Sequence, residues 1–543
     1  MITSSTTLTR STAITHKRVN RLKRCAGTNN EETAPNKRRQ LLALTLIIAT
    51  AIVIVGYREP SDEDQPAGFA VTVYPTHPSQ LTTEHYMEDY QHLYSIIETN
   101  YPYLALKERT HGANWLDRKE AATEKIRACK DNQEFLEIIA GEVSALQNRH
   151  TGLLHPNEVR EYCTRYQNVS FMAEIFNDQV AEANVYWSHH FSSPDRRYPV
   201  EILYDRGRYI VVNRQGGTAT RYGVNLTVTE IDGAPIHDAI KNAETYIDYD
   251  HIRGRLYAWA ITPECFPPDA VFNVAHPNGT MKHRVFPTVY GSPRTNFYPA
   301  PDLITRKHRD QSAAYMYVKT FDPETVQRIT PAIHGFLNET RDYRYLIIDI
   351  RGNTGGAFHS WLTAIVEPLL KAPVLHEYYL AYRNDPYIMG FHGQWLGDKE
   401  PVPKNHFTEL PPEVDTPQYS VYNGSDTYQP ADTINHTAKR ILLTDRTVYS
   451  AAEGFTNFCK QTGFATIIGT HSGGDGFFIW PNYVVLPHSK LVVTMTSSMS
   501  LDRQGRANEE ARTTPDIVHE TSITDHELLI EYTLKLIEQE GIP

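Results

Sequence analysis

The sequence predicts a mixed α/β protein, in which a mixed β-sheet flanked by helices follows a helical subdomain and a β-rich segment. From residue 313 onwards, short apolar runs alternate with helical stretches, as in 345–350 (YLIIDI) before a helix over about 358–371. The runs are apolar throughout rather than at every second residue, a pattern typical of strands buried on both faces. Such strands require helices on both sides of the sheet.

Two segments precede this sheet, and a helix is predicted after it at 525–543. In 82–155 apolar residues recur at helical spacing, which predicts the helical subdomain. Residues 170–300 are strand-like, and Asp232-Gly233 is a hairpin signal before a helix-like run. This segment resembles the end of a PDZ-type peptide-binding module.

The N-terminal region predicts a membrane anchor. Residues 41–57 contain no charged side chain, and their length just reaches the roughly 17 residues that a helix needs to cross a bilayer. Residues 1–40 hold nine Lys and Arg against two Glu, an excess that keeps such a tail in the cytoplasm. Residues 58–81, rich in Pro, Asp, Glu, Ser and Thr, then read as a stalk that carries the folded part outside. The alternative for the apolar run is a cleaved signal peptide.

Charge and motif content argue against nucleic-acid partners and against metal cofactors. The net charge is −11 although the N-terminal tail is basic, so the rest of the chain is more acidic still and would repel nucleic acid. The sequence contains no CxxC pair and no His-Glu-x-x-His motif, so we predict no metal and no organic cofactor. Beyond the apolar run, two disulfides in three pairings are possible among four cysteines: Cys129, Cys163, Cys265 and Cys459.

The first turn that suggests chemistry is 349–356 (DIRGNTGG), between a predicted strand and a helix. Glycines allow positive φ and bring bare N–H groups close to a ligand, and the N-terminus of the next helix adds partial positive charge. Such a turn can hold an oxyanion. The alternative is a glycine-rich connection without a ligand. The spacing fits neither a dinucleotide fingerprint nor a phosphate loop.

The second turn ends at Ser450, where a predicted helix begins. Ser450 could cap this helix, with Glu453 completing a capping box. It could instead be a nucleophile on a sharp strand-to-helix bend, with the Ala451 N–H directed into the same site. An exposed hydroxyl and a glycine-lined anion pocket are the two halves of an acyl-transfer site, so the presence of both turns favours the nucleophile.

Three motifs carry a resemblance to a known family: 345–356 (YLIIDIRGNTGG), 450–453 (SAAE) and 467–470 (IIGT). Together with 515–517 (PDI), they resemble the tail-specific, or carboxyl-terminal processing, serine peptidases over about 310–520, within a predicted peptidase core of 310–525. The resemblance implies a ClpP/crotonase-like core and an endopeptidase with a polypeptide substrate. The predicted anchor and stalk would hold this endopeptidase outside the cytoplasm.

The resemblance also bears on the base that activates the serine. One branch of the family has a lysine about 25 residues after the serine, but this chain has Asp475 there, and Lys460 or Lys490 would need large displacements. The tricorn-like branch uses a histidine from the helical domain and a glutamate after the serine. The RHT motif around His150 and the position of Glu509 resemble that branch.

The site implied by this branch has a nucleophile, a general acid/base, an orienting acid and oxyanion donors: Ser450, His150, Glu509, and Gly355 or Gly356 with Ala451. His471 is the alternative base, and Glu510 the alternative acid. A non-catalytic binding protein on the same scaffold, similar to the interphotoreceptor retinoid-binding protein, is the alternative function, and an amidase or esterase is a third. We expect Trp361, Trp395 and Trp480 to pack in the core or to line the cleft.

Overall fold

The structure is a computed structural model that describes most of residues 74–542. Within that span the undescribed residues are 113, 167–169, 192–195, 198–199, 214–225, 243–248, 251–252, 257–269, 276–278, 280, 286–288, 291–297, 398 and 478–480.

The predicted membrane anchor is contradicted. No helix in the described part of the chain is long and apolar enough to cross a bilayer. The segment 41–57 itself lies outside the described residues, as do the predicted tail 1–40 and residues 58–73 of the stalk. Seventeen apolar residues also only just reach the length that a crossing needs. The predictions of a transmembrane helix, a signal-anchor and a single-pass membrane location are therefore not retained.

Helices predominate between residues 83 and 191. Their bounds are α1 Thr83–Asn100, α2 Leu104–His111, α3 Lys119–Ala128, α4 Asn132–Ser144, α5 Pro156–Arg165, α6 Ser170–Ile175 and α7 Asp178–Phe191, with the short strand β1 Gly152–Leu153 after α4. The Asp131 carboxylate accepts the Glu134 N–H and so caps α4. The loop between α4 and β1 carries His150, which makes the end of α4 important for the site.

A β-rich segment follows. Its elements are β2 Arg196–Arg197, β3 Val200–Asp205, β4 Arg208–Asn213, β5 Leu226–Ile231, β6 Ala234–Pro235, α8 Ile236–Asn242, β7 Tyr249–Asp250, β8 Arg255–Leu256, β9 Val271–Ala275, β10 Met281–Val285 and β11 Val289–Tyr290. The main sheet has the order β10-β9-β5-β4-β3 and is antiparallel. Asp232 and Gly233 both have positive φ and form the turn between β5 and β6, as the Asp-Gly signal predicts.

The remaining elements contain the central sheet. In chain order they are β12 Leu303–His308, β13 Ala313–Val318, α9 Pro323–Glu339, β14 Tyr345–Asp349, α10 Phe358–Trp361 with a π-helical turn Leu362–Val366 and a last turn Glu367–Leu369, β15 Val374–His376, β16 Tyr378–Arg383, α11 Pro386–Leu396, β17 Tyr419–Asn423, β18 Asp426–Tyr428, β19 Lys439–Thr444, α12 Ala451–Thr462, β20 Thr466–Gly469, β21 Asn482–Val485, β22 Val492–Met495, β23 Ser498–Asp502, α13 Asn508–Ala511, β24 Ile517–Val518 and α14 Glu527–Glu538.

The central sheet has the order β12-β13-β14-β19-β20-β24, and β12 alone in this order runs antiparallel to its neighbour. Alternate residues enter two cores: Met316 and Ile348 pack with α9 and α12 on one face, whereas Tyr315 and Ile347 pack with α14 on the other. The predicted mixed sheet with helices on both faces is confirmed. Because β14 and β19 are parallel neighbours, the turns that follow them meet at one edge of the sheet.

A smaller sheet links the helical region to the chain beyond the central strands. Strand β1 pairs with β22, with Gly152 opposite Thr494, and β22 pairs with β21. Helices α1 and α4 share one apolar core with β16 and β22. The helical region and the last third of the chain are thus packed together, which positions the loop before β1 next to the edge of the central sheet.

The described cysteines do not form the two disulfides that the sequence allows. Cys129, Cys163 and Cys459 are free thiols, and Cys265 lies outside the described residues. Cys459 is buried against the central sheet, where it packs as a small apolar side chain.

Candidate active site

Ser450 lies on the bend between β19 and α12. Its backbone adopts φ +56° and ψ −129°, a conformation that L-residues rarely occupy and that marks strained functional turns. Its side chain forms no capping hydrogen bond with α12. The Glu453 carboxylate accepts hydrogen bonds from Asn508 and Thr513. The capping-box alternative is therefore excluded, and the Ser450 hydroxyl is not used to hold the helix.

The glycine turn after β14 packs directly on Ser450. A Cβ built on Gly355 would lie 2.7 Å from the Ser450 Cβ, and Gly355 has φ +106°. Only glycine fits there without displacing the serine. The Tyr449 N–H donates to the Asn353 carbonyl at 3.3 Å and joins the two turns. The structure thus brings together the two turns that sequence analysis selected.

The backbone donors near Ser450 differ in availability. The Gly355 N–H donates to Asn353 Oδ1 at 2.9 Å and is already engaged. Phe321 pairs with the Gly355 carbonyl and the Ala357 N–H, so the Gly356 N–H points to the opposite side. Within the described residues, neither the Gly356 nor the Ala451 N–H has an acceptor. Of the predicted oxyanion donors, Gly356 and Ala451 are free and Gly355 is not.

His150 reaches this site from the loop between α4 and β1. Its ring lies 4.8 Å from the ring of Tyr449, centroid to centroid, beside the residue that precedes Ser450. The Thr494 hydroxyl donates to the His150 carbonyl at 3.4 Å, which ties the loop to β22. The His150 side chain is 16% exposed, so the imidazole is enclosed but accessible. The histidine from the helical region and the serine turn therefore converge.

A carboxylate that sequence analysis did not include in the site contacts His150. Asp475 Oδ2 lies 2.9 Å from His150 Nδ1, and the carboxylate is fully buried. Asn148 Nδ2 donates to the same oxygen at 3.0 Å, and the Tyr103 hydroxyl donates to Oδ1 at 2.9 Å. Burial alone would raise the pKa of Asp475, but the hydrogen bond and the charge of His150, with the other donors, hold this pKa below its ordinary value.

Glu509, the predicted orienting acid, forms a different pair. Its Oε1 lies 2.7 Å from Lys107 Nζ, and its Oε2 is buried with no hydrogen-bond partner among the described residues. The alternative acid Glu510 pairs with Arg109 at 2.9 Å. The carboxylate that the structure places on His150 is therefore neither of the two that the resemblance implied.

A buried network holds the loop that carries Asp475. The Gly476 N–H donates to Asn508 Oδ1 at 2.8 Å, and Asn508 Nδ2 donates to Glu453 Oε1 at 2.7 Å. The Ser450 N–H donates to the Gly474 carbonyl at 3.4 Å. Burial raises the pKa of Glu453 to about 7. The Asp475 loop and the first turn of α12 thus form one hydrogen-bonded unit.

The other candidate residues lie away from this cluster or outside the described residues. Lys460 pairs with Asp516, and Lys490 donates to the Thr76 and His488 carbonyls, so both ammonium groups are engaged elsewhere. Trp361 is buried in the core, stacked on Phe455. The Trp395 side chain and Trp480 lie outside the described part of the chain. Within the described residues, no group of His, Cys, Asp or Glu could hold a metal ion.

The serine bend and the glycine turn lie together at one edge of the central sheet. Residues 312–519 match the model of peptidase family S41. The predicted relationship to the processing peptidases is confirmed.

Comparisons with solved structures extend over most of the chain. The structure of mature CPAF complexed with lactacystin is 15% identical with a TM-score of 0.55, covering 84% of this chain and 98% of that one. Mature CPAF alone gives 14% identity, a TM-score of 0.55 and the same coverage. The photosystem II D1 C-terminal processing protease gives 13% identity, a TM-score of 0.41 and coverage of 85% and 99%. The similarity to CPAF establishes the fold. No curated protein matches the chain in a sequence comparison.

Proposed function

We propose that this protein is a serine-type endopeptidase that cleaves polypeptides through an acyl-enzyme on Ser450, with His150 as general base. The observation that carries this proposal is the contact of the glycine turn, the Ser450 bend and the His150 loop at one edge of the central sheet. The match of residues 312–519 to the model of a peptidase family supports a polypeptide substrate.

The two ring nitrogens of His150 have different roles in this proposal. Because Nδ1 contacts Asp475, we assign Nε2 as the ring nitrogen that takes the hydroxyl proton of Ser450. Ser450 Oγ then bonds to the scissile carbonyl carbon, and the proton held on His150 passes to the leaving amine as the C–N bond breaks. Water, deprotonated by His150, cleaves the resulting ester and regenerates the serine.

Backbone donors stabilise the negative charge that develops on the carbonyl oxygen. The Ala451 N–H stands at the first position of α12, where a helix has no acceptor of its own, and the Gly356 N–H faces away from Phe321. Two free N–H groups beside the nucleophile suit an oxyanion. We assign this role to Ala451 and Gly356, and a structural role to the engaged Gly355.

The proposal is tested with a fluorophosphonate probe, which reacts with activated serines, on the purified full-length protein. We expect labelling of the wild type and none of Ser450→Ala, because the labelled oxygen is then missing. His150→Ala should reduce labelling by at least about 10³-fold, because the hydroxyl loses its base. Ser522→Ala, a serine outside the site, is the matched control and should be labelled like the wild type.

The same preparations separate the alternative functions. Hydrolysis of fluorescent casein, lost in Ser450→Ala, is the result expected of an endopeptidase. Hydrolysis of p-nitrophenyl esters without casein cleavage would indicate an esterase. Absence of labelling in folded wild-type protein would contradict the proposal and favour a non-catalytic binding protein.

A further inference from the structure

We infer that Asp475 is the positioning carboxylate for His150, and that Asn148 ties the backbone of His150 to this carboxylate, so that the chain operates with Ser450, His150 and Asp475 rather than with Glu509. This inference rests on the function proposed above. Asp475 and Asn148 act through His150, so both are positioning residues rather than groups that contact the substrate.

Both oxygens of the Asp475 carboxylate are surrounded by hydrogen-bonding groups. Oδ2 receives Asn148 at 3.0 Å, His150 at 2.9 Å and the Tyr449 hydroxyl at 3.4 Å, while Oδ1 receives the hydroxyls of Tyr103 at 2.9 Å and Ser500 at 3.3 Å. A fully buried carboxylate with this many donors stays ionised and in one orientation. It therefore holds the Nδ1–H tautomer of His150 and can balance the positive charge that the ring acquires during catalysis.

The Asn148 amide lies between the His150 backbone and the Asp475 carboxylate. Its Oδ1 accepts the His150 backbone N–H at 3.0 Å and the Thr151 hydroxyl at 3.2 Å, while its Nδ2 donates to Asp475. A single buried amide thus contacts both the backbone of the base and the carboxylate that orients the base. Asn148 therefore fixes the backbone of His150 relative to Asp475, and the contact between Nδ1 and Asp475 Oδ2 orients the ring.

Glu509 differs from Asp475 in the charge of its partner. Its carboxylate already has a cationic partner in Lys107, 2.7 Å away. None of the hydrogen bonds that Asp475 accepts in the described part of the chain comes from Lys or Arg, and His150 is the partner among them that can become a cation. A proton gained by His150 is therefore compensated first by Asp475.

The position of Asp475 in the chain explains why a carboxylate there serves the base. Gly474 forms a bridge with Tyr449, and its carbonyl accepts the Ser450 N–H, so residue 475 always lies beside the nucleophile bend. A lysine at this position could act on the serine directly, as in the family branch with a lysine base. An aspartate cannot take that role next to a histidine, but it can orient the histidine.

The test compares two carboxylate-to-amide substitutions in the full-length protein: Asp475→Asn and Glu509→Gln. Fluorophosphonate labelling rates and casein turnover should fall by about 10³–10⁴-fold in Asp475→Asn, as expected when the tautomer of a catalytic histidine is no longer fixed. Glu509→Gln should stay within about tenfold of the wild type. The acidic limb of the pH–rate profile should move to lower pH in Asp475→Asn, because the imidazolium loses its anionic neighbour, whereas a purely structural role would leave the limb in place.

A loss confined to Glu509→Gln, or an Asp475→Asn variant within tenfold of the wild type, would overturn the inference. If Asp475→Asn does not fold, Tyr103→Phe removes a single donor to the same carboxylate and should slow labelling about fivefold. Because the anion remains and has one donor fewer, it should hold the imidazolium proton more strongly and move the acidic limb to higher pH. An unchanged rate in Tyr103→Phe would then count against the inference.

A readout without turnover separates this inference from the proposed function. The His150 Nδ1–H proton, hydrogen-bonded to Asp475, should give a downfield NMR signal in ¹⁵N-histidine protein. This signal should disappear in His150→Ala and Asp475→Asn and persist in Glu509→Gln. If the wild type shows the signal but no labelling, the proposed function fails and the positioning contact stands. If labelling occurs and the signal survives Asp475→Asn, the inference fails alone.

Discussion

Two buried aspartate–histidine contacts in this molecule have opposite surroundings. Asp349, at the end of β14, lies 3.1 Å from His526 Nε2 but also 2.6 Å from the Arg351 guanidinium. Asp475 lies 2.9 Å from His150 and otherwise accepts hydrogen bonds from uncharged donors. Arg351 is permanently charged, so Asp349 keeps a cationic partner whether or not His526 is protonated. Asp475 depends on an imidazole that can gain and lose its proton.

The partner that balances the carboxylate charge distinguishes a structural acid from a functional one in this fold. Burial would raise the pKa of Asp349, but the charge of Arg351 and the hydrogen bonds from His526 and Arg351 hold it far below its usual range. That carboxylate is therefore balanced at every pH at which the protein is folded. The charge of Asp475 is balanced fully only when His150 is protonated, which is what a general base requires of its partner.

The largest expected effect comes from replacing His150 and His526 by alanine, one at a time. His150→Ala should lower the casein kcat by about 10⁴–10⁶-fold, because the base of the reaction is removed. His526→Ala should stay within tenfold, because Arg351 still balances Asp349. Steady-state casein hydrolysis measures both. A His526→Ala variant as inactive as His150→Ala would remove the distinction between the two contacts.

The next effect concerns stability rather than turnover. Arg351→Met should reduce the free energy of unfolding by about 3–5 kcal/mol, since it leaves a buried carboxylate without its cation. Asp349→Asn breaks the same pair from the other side and should cost a similar amount. Urea unfolding of both variants against the wild type measures the loss. A loss below about 1 kcal/mol in both would show that this ion pair is not the support that its burial suggests.

The smallest effect sharpens the comparison with a third buried carboxylate, Glu453, which has neither a histidine nor a cation among its hydrogen-bond partners in the described structure. Its pKa is raised by burial to about 7 from 4.5, so the folded protein binds a proton that the unfolded chain releases. This stabilisation is complete below about pH 4.5, falls as the pH rises and is lost above about pH 7. The total is at most about 3 kcal/mol.

Glu453→Gln should remove this dependence, because the amide keeps an acceptor for Asn508 and Thr513 without an ionisable proton. Thermal unfolding of the wild type and the variant between pH 4.5 and 8 gives the measurement. A wild type whose stability does not decline relative to Glu453→Gln over that interval would show that Glu453 is ionised in the folded state.

Sequence reasoning was most accurate where the pattern is local. The continuously apolar runs at 313–318 and 345–349 form strands that are buried on both faces. The pattern that predicts each strand lies within a few neighbouring residues of the chain. Hydropathy was less dependable at the N-terminus, where 41–57 meets the length requirement by the smallest margin and no described helix could span a bilayer.

Sequence analysis also selected the serine bend, the glycine turn and the histidine loop, and the structure brings the three together. It did not select Asp475, although this residue stands between Gly474 and Gly476 at the position compared with the lysine of one family branch. The available signal was the substitution itself: an aspartate in place of a base is useful only if another base is near. Glu509 was preferred because its spacing resembles a family pattern, and spacing says nothing about Lys107.

By itself, the sequence determined the strand and helix periods, the two special turns and the supply of a hydroxyl, an imidazole and glycines, because each depends on residues close together in the chain. Only the tertiary structure decided which carboxylate meets His150 and which N–H groups face Ser450. These choices depend on contacts between distant segments, such as Gly474 on Ser450 and Phe321 on the glycine turn. The direction of a single backbone N–H or carboxylate oxygen follows from those contacts and has no signature along the chain.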